Sequence, residues 1–174
     1  MISIILIVLV IIFLFFVITK NRRKYVFIGL GTSGLNVIKS WIQKGGKGFA
    51  LMDKKYQREK INQYDTISEI LSQISKRRKY IVVSGLGGKT SKKMLLSLIQ
   101  NLDEKEIQFK ILAYLPFKLE GSIRNDQALQ IHSKLILRNN YNFIEIDREL
   151  EQQPNKELPV LFKKMDELGL EMII

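Results

Sequence analysis

Residues 25–36 read YVFIGLGTSGLN, a short apolar run that breaks at glycines 29, 31 and 34 and passes directly into a helical pattern. Tyr25 to Gly29 has the length and composition of a buried strand. From Ser33 to Lys44 the apolar residues Leu35, Ile38, Trp41 and Ile42 instead fall on one helical face. Glycine between a strand and a helix permits a tight turn and close backbone approach, so the N–H groups and the positive end of the helix face a common point. Gly29, Gly31 and Gly34 are therefore candidates for holding a phosphate in this loop. A purely structural turn is the competing reading.

The alternation continues outward from this unit. Phe49 to Met52 reads as a second strand, and Asp65 as the cap of a helix with Ile67, Ile70, Leu71 and Ile74 inward. Tyr80 to Ser84 is a strand, and Ser91 to Leu102 a helix that buries Met94, Leu95, Leu98 and Ile99. Gln108 to Leu115 is a strand, Ile123 to Leu137 a helix, Phe143 to Ile146 a last strand, and Pro159 suits the first turn of a terminal helix. Strands alternating with helices specify a parallel sheet covered on both faces, with ligands bound beyond the carboxyl ends of the strands. Trp41 and the Leu/Ile stripes are assigned to the core. His132 is the only histidine and has no cysteine beside it for a metal site, so no catalytic or metal-binding residue is assigned.

A second glycine loop, Gly85-Leu86-Gly87-Gly88-Lys89-Thr90-Ser91, also follows a strand and opens a helix. Gly85, Gly87, Gly88, Lys89 and Thr90 join the candidate phosphate contacts. Gly88-Lys89-Thr90 is similar to the end of a P-loop, but Val83 stands where that motif requires its first glycine. Asp53 follows the second strand where a dinucleotide-binding unit places its ribose-binding acid, so NAD is a second reading of the N-terminal stretch.

Ahead of this domain, Ile2 to Ile18 is aliphatic or Phe throughout except for Ser3. As a helix it extends roughly 26 Å, enough for a thin hydrocarbon core. A cleaved signal peptide is the rival, but only Met1 precedes the run and no basic region leads it. Lys20, Arg22, Arg23 and Lys24 follow at once, which places the N-terminus outside and the C-terminal domain in the cytoplasm. The absence of cysteine agrees with a reducing compartment.

The net charge of +11 lies wholly beyond residue 19. Attraction to anionic headgroups accounts for residues 20–24. Basic residues are not interleaved with aromatics on one element, so nucleic acid is not an expected partner. Lys76-Arg77-Arg78-Lys79 reads as a solvated basic surface. The chain thus divides into a transmembrane anchor at 1–19, a basic juxtamembrane segment at 20–24 and one domain at 25–174. The short segment after Ile18 keeps that domain close to the bilayer.

The stretch Pro116-Phe117-Lys118-Leu119-Glu120-Gly121-Ser122-Ile123-Arg124 continues through Gln127-Ala128 to Phe143-Ile144-Glu145-Ile146-Asp147-Arg148. It resembles the FtsZ/tubulin family, bacterial FtsZ in particular, whose chains carry a similar PFxxEGxxRxxQA stretch and then a strand ending in an Asp-Arg or Asp-Lys turn. The resemblance implies a three-layer, Rossmann-like nucleotide-binding domain for GTP or GDP, with Mg²⁺ compatible. It implies that the first loop, with Gly29, Gly31, Thr32, Ser33 and Gly34 at the matching positions, holds phosphates, that Asn36 of that loop helps read guanine, that Glu120 binds ribose and that Arg124 reaches the nucleotide. Phe162 and Asp166 match the family's aromatic and acid that stack on guanine and accept from its ring N–H and amino group. The competing readings are a surface i,i+4 ion pair for Glu120 and Arg124 and a core Phe beside a solvated Asp.

Departures from the family are also legible. Its GGGTGTG loop reads Gly87-Gly88-Lys89-Thr90-Ser91-Lys92-Lys93 here, exchanging close backbone approach for charge. Between Asp53 and Tyr80 the chain is too short for the family's edge strand, its γ-phosphate loop and a helix together, so one edge strand is expected to be missing. The sequence stops at Ile174 inside what would be the family's long central helix, so the second domain and its water-activating loop are expected to be absent. The resemblance therefore implies a membrane-bound protein that binds, caps or tethers FtsZ-like filaments or self-associates, as in cell division, with weak GTPase activity at most. A stand-alone membrane nucleotide binder or sensor, and a relic with an empty pocket, are the alternatives.

Overall fold

The computed structural model describes residues 25–52, 61–152 and 157–173. The expected span at 1–19, the basic segment at 20–24 and Asp53 lie outside the described residues. Among the described residues no helix is long and apolar enough to cross a membrane.

Strand β1 (Tyr25–Leu30) leads into helix α1 (Gly31–Gln43), and β2 (Lys47–Leu51) and β3 (Gln63–Tyr64) precede α2 (Ile67–Ser72). Strand β4 (Lys79–Gly85) is followed by a π-helical turn (Ser91–Leu95) that runs into α3 (Leu96–Glu104). Strand β5 (Phe109–Leu115), a 3₁₀ turn (Lys118–Glu120) and α4 (Ser122–Leu135) come next. They are followed by β6 (Tyr141–Glu145), α5 (Ile146–Gln152) and α6 (Leu158–Ile173).

The six strands form one sheet in the order β3-β2-β1-β4-β5-β6, every pair parallel. The order reverses between β1 and β4, and a crevice opens at such a point beyond the carboxyl ends. The strands read as continuous apolar runs because both faces are buried. Val26, Ile28 and Leu30 of β1 pack into one layer with Ile70 of α2, Leu98 and Leu102 of α3 and Ile131 of α4. Phe27 packs into the other with Ile38 and Trp41 of α1 and Leu161 and Met165 of α6. Trp41 is buried against Phe27, ring centroids 4.6 Å apart.

Three expectations need correction. The edge strand expected to be missing is present, reduced to two residues: Gln63 and Tyr64 pair with Ala50 and Leu51. The cap of α2 is Thr66, not Asp65: Thr66 Oγ1 accepts from the Glu69 amide at 3.3 Å, while Glu69 Oε2 accepts from the Asp65 amide at 3.3 Å. This reciprocal arrangement is close to a capping box. The last strand starts at Tyr141 and yields at Ile146, which is buried and opens α5.

Candidate functional site

A cleft of about 660 Å³ lies at the carboxyl edge of the sheet, where three segments distant in sequence meet. The first is the start of α1. Leu30 is extended and provides no side-chain cap, so the helix presents unmatched N–H groups at Gly31, Thr32 and Ser33, which line the cleft. Gly31 adopts φ +68°, a conformation that favours glycine.

The second segment is the loop after β4. Gly85, Gly87, Gly88, Lys89, Thr90 and Ser91 line the cleft, and Ser91 Oγ donates to the Gly88 carbonyl at 2.9 Å. A Cβ at Gly85 would stand 2.5 Å from Ser33 Oγ, and one at Gly87, where φ is +79°, would stand 2.5 Å from the Arg124 carbonyl. These two glycines let the three segments close on one another.

The third segment is the turn before α4. Asn125 Nδ2 donates to the carbonyls of Phe117, Lys118 and Gly121 at 3.0, 3.3 and 2.9 Å, which folds the turn back on its own helix. Glu120 Oε1 accepts from the Phe117 amide at 3.1 Å, and its Oε2 lies 2.5 Å from Arg124 Nη1. Both side chains line the cleft with Gly121, Ser122, Ile123 and Gln127. The arrangement offers N–H donors and Lys89 from the two glycine loops and a paired guanidinium and carboxylate from the third segment, groups suited to phosphate and hydroxyl oxygens.

No family model matches the sequence, and no curated protein matches it. Solved structures do match. An empty FtsZ dimer from M. jannaschii superposes with a TM-score of 0.68 at 20% identity, covering 90% of this chain and 55% of that one. TubZ of Clostridium botulinum phage c-st gives 0.66 at 13% identity, covering 86% of this chain and 59% of the other. The chain has the FtsZ/tubulin fold. It spans less than two thirds of the length of either protein.

Within this FtsZ/tubulin fold the expected contacts separate into groups. Gly31, Thr32, Ser33, Gly85, Gly87, Gly88, Lys89, Thr90, Glu120 and Arg124 all line the cleft. Gly29 and Gly34 are not part of its wall. They seat α1 against β1 and β4, for a Cβ at Gly34 would stand 2.6 Å from the Gly29 carbonyl carbon and 2.7 Å from the Val83 oxygen. Asn36 is exposed on α1 and does not line the cleft.

Phe162 and Asp166 of α6 also lie outside that wall. Phe162 meets Phe117 edge to face, 5.6 Å between centroids and 84° between planes. Asp166 is half-buried, and burial, reinforced by Glu167, pushes its carboxyl up to about 6 against the opposing pull of the Tyr114 hydroxyl. That hydroxyl is buried without a well-formed hydrogen bond, and burial raises its pKa first, the Asp166 charge second.

Sequence reading did not single out Asn125, Gln127 or Met52, although Gln127 and Asn125 lie within the family-like stretch. Next to the cleft, Lys89, Lys92, Lys93, Thr90, Met94, Asp65 and Thr66 line a second groove of about 720 Å³, joined to it through Lys89 and Thr90. Lys89 and Lys93, which stand where the family's loop has glycine, thus line this groove together with Lys92. His132 Nδ1 lies 2.8 Å from Tyr141 Oη and its ring packs on Phe143.

Proposed function

We propose that this chain is a membrane-anchored, tubulin-like guanine-nucleotide-binding protein that binds, caps or tethers cytoskeletal filaments at the cytoplasmic membrane face. The observation that carries the nucleotide reading is the convergence of the uncapped α1 start, the Gly85–Ser91 loop and the Glu120–Arg124 pair on one cleft. The N–H groups of the first two segments receive phosphate oxygens, and Lys89 adds a point charge. Arg124, once released from Glu120, forks onto phosphate and leaves the carboxylate free to accept from sugar hydroxyls. Mg²⁺ would arrive with the phosphates. Among the described residues no group of three acidic or histidine side chains is placed to hold it alone.

The filament reading is supported by the fold shared with FtsZ and TubZ, one of them a dimer. The membrane reading is supported by the apolar run from Ile2 to Ile18 and the cations that follow it. Titration calorimetry on the full chain in mild detergent tests the nucleotide reading. Binding of GDP and GTP, with NAD and ATP much weaker, is the expected result. A preference for NAD would move the reading to Asp53, and no binding of any nucleotide would mean a relic. Co-sedimentation of chain-bearing vesicles with FtsZ polymer from the same cell tests the filament part, which fails if the vesicles stay in the supernatant.

A further inference from the structure

We propose that the amino edge of the sheet, opposite the cleft, is a face that binds anionic lipid headgroups, so that the cleft is held away from the bilayer. The proposal deepens the membrane reading above and rests on it for the source of the lipid. Tyr25 is the first residue of β1, so the apolar run and its cations join the domain at this edge. The parallel register sets Lys79 beside Tyr25 and Lys47 beside Val26. The turn before β4 adds Lys76, Arg77 and Arg78, all exposed.

Two cations of this edge are already neutralised. Lys76 Nζ lies 2.9 Å from Glu106, and Arg138 Nη2 donates to both oxygens of Asp103 at 2.8 and 2.9 Å. Lys47, Arg77, Arg78, Lys79 and Lys105 have no ion pair with another described residue. Among these charges stands Leu137, 91% exposed in the turn before β6, with Ile136 next to it. Met172, at the end of α6, is exposed at the same edge, where Lys110 Nζ donates to the Ile173 carbonyl at 2.7 Å. Unpaired cations surrounding exposed aliphatic side chains match a headgroup layer, which neutralises the first and admits the second. Leu119 and Ile123 at the cleft edge are exposed as well, so the entry of the chain at Tyr25 and the row of unpaired cations, not the aliphatic residues, single out the amino edge. The cleft lies at the far end of β1, roughly 20 Å away at the rise of a strand.

The chain has no cysteine, so single cysteines report position without interference. A donor dye is placed at Asn139→Cys on the amino edge or Leu119→Cys on the carboxyl edge, each in the full chain. The labelled chains are reconstituted in phosphatidylcholine vesicles with an acceptor on the headgroups, with or without phosphatidylglycerol. Energy transfer from position 139 is expected to rise several-fold with phosphatidylglycerol and to fall in high salt, while transfer from 119 stays low. Arg77→Gln with Arg78→Gln and Lys79→Gln should abolish the lipid dependence. Trp41 fluorescence checks that the variant is folded, and the comparison of 139 with 119 decides the matter without it.

Equal transfer from both positions, or transfer indifferent to lipid charge, overturns the proposal. So does salt-sensitive binding of duplex DNA without any lipid response. Alkaline extraction reads the anchor separately. Release of the chain overturns the anchor alone if transfer from 139 still follows lipid charge, and both ideas if it does not. Retention without the 139-over-119 difference overturns this inference alone.

Discussion

Arg124 and Glu120 hold each other across one turn, with Nη1 2.5 Å from Oε2, so the two side chains assigned to phosphate and sugar are each other's partner before any ligand arrives. A pair so placed, with the arginine half exposed, contributes little to folding, about 0.3 to 0.5 kcal/mol. Its value would lie in what replaces it. Arg124→Ala is expected to lower guanine-nucleotide affinity about tenfold or more, since a charged hydrogen bond contributes about 1.5 to 3 kcal/mol, while urea unfolding moves by less than about 0.5 kcal/mol. Small changes in both measurements would reduce the pair to a surface ornament.

Gly34 and Gly88 make a contrasting pair. A Cβ at Gly34 would press on the Gly29 backbone and the Val83 oxygen, whereas the nearest atom to a Cβ at Gly88 is the Gly85 oxygen at 3.7 Å. Backbone cannot swing aside as a side chain does, so Gly34→Ala should destabilise the fold by about 3 kcal/mol. Gly88→Ala should stay within about 1 kcal/mol and show its effect in nucleotide binding instead. Denaturation midpoints of the two variants, measured side by side, check this.

Asp166 supplies a pH signature. Its carboxyl is raised to about 6 in the folded chain, from an ordinary value near 4 when unfolded, so the folded state binds the extra proton between these limits. The penalty that Asp166 imposes on folding is therefore absent below about pH 4, grows as pH rises toward 6, and persists at neutrality. Asp166→Asn should flatten that slope and raise stability at pH 7 by about 1 kcal/mol, a figure already reduced for solvent screening of a half-buried group. Unfolding free energies of both chains from pH 4 to 7 give the difference directly, and identical slopes would refute the assignment.

Lys89 borders both cavities, while Lys92 and Lys93 border only the second groove. Lys89→Gln is expected to weaken GDP and GTP alike, by about tenfold, the worth of a single charged hydrogen bond. Lys92→Gln with Lys93→Gln should spare GDP and weaken GTP, and should lower the salt dependence of GTP binding. Affinities for both nucleotides at two ionic strengths separate these cases.

The central strands and both glycine loops are legible in the sequence because each carries its own signal: an unbroken apolar run, then glycine, then a helical period. The edge strand is not. Gln63 and Tyr64 show no strand pattern and become a strand only by pairing with Ala50 and Leu51. Asp65 and Thr66 are both good caps, and the choice between them falls to Glu69, whose amide and carboxylate engage the two residues together. The π-turn at Ser91–Leu95 escapes any reading that assumes one helical period.

The site is legible where backbone chemistry dictates it and less so where helix phase does. Gly31, Gly87 and Gly121 all adopt positive φ, and the glycine loops point to the first two. Asn36 belongs by sequence to the loop it adjoins, yet its place on α1 leaves it exposed. Phe162 and Asp166 are assigned by resemblance alone, and the neighbours that α6 gives them, Phe117 and Tyr114, carry no sequence signal of their own. Asn125 escapes notice because an asparagine inside a helix gives no sign that three carbonyls will fold onto it.

Strand β1 begins where the first twenty-four residues join the domain and ends at Leu30, directly before the glycine that opens α1. Any tension between that junction and a body gripping the cleft would therefore run along β1 itself. The strand is bonded on both sides by parallel neighbours, β2 and β4, so such a load shears two ladders at once instead of peeling one bond at a time. A force applied between those two points would thus meet the resistance of both ladders along their whole length.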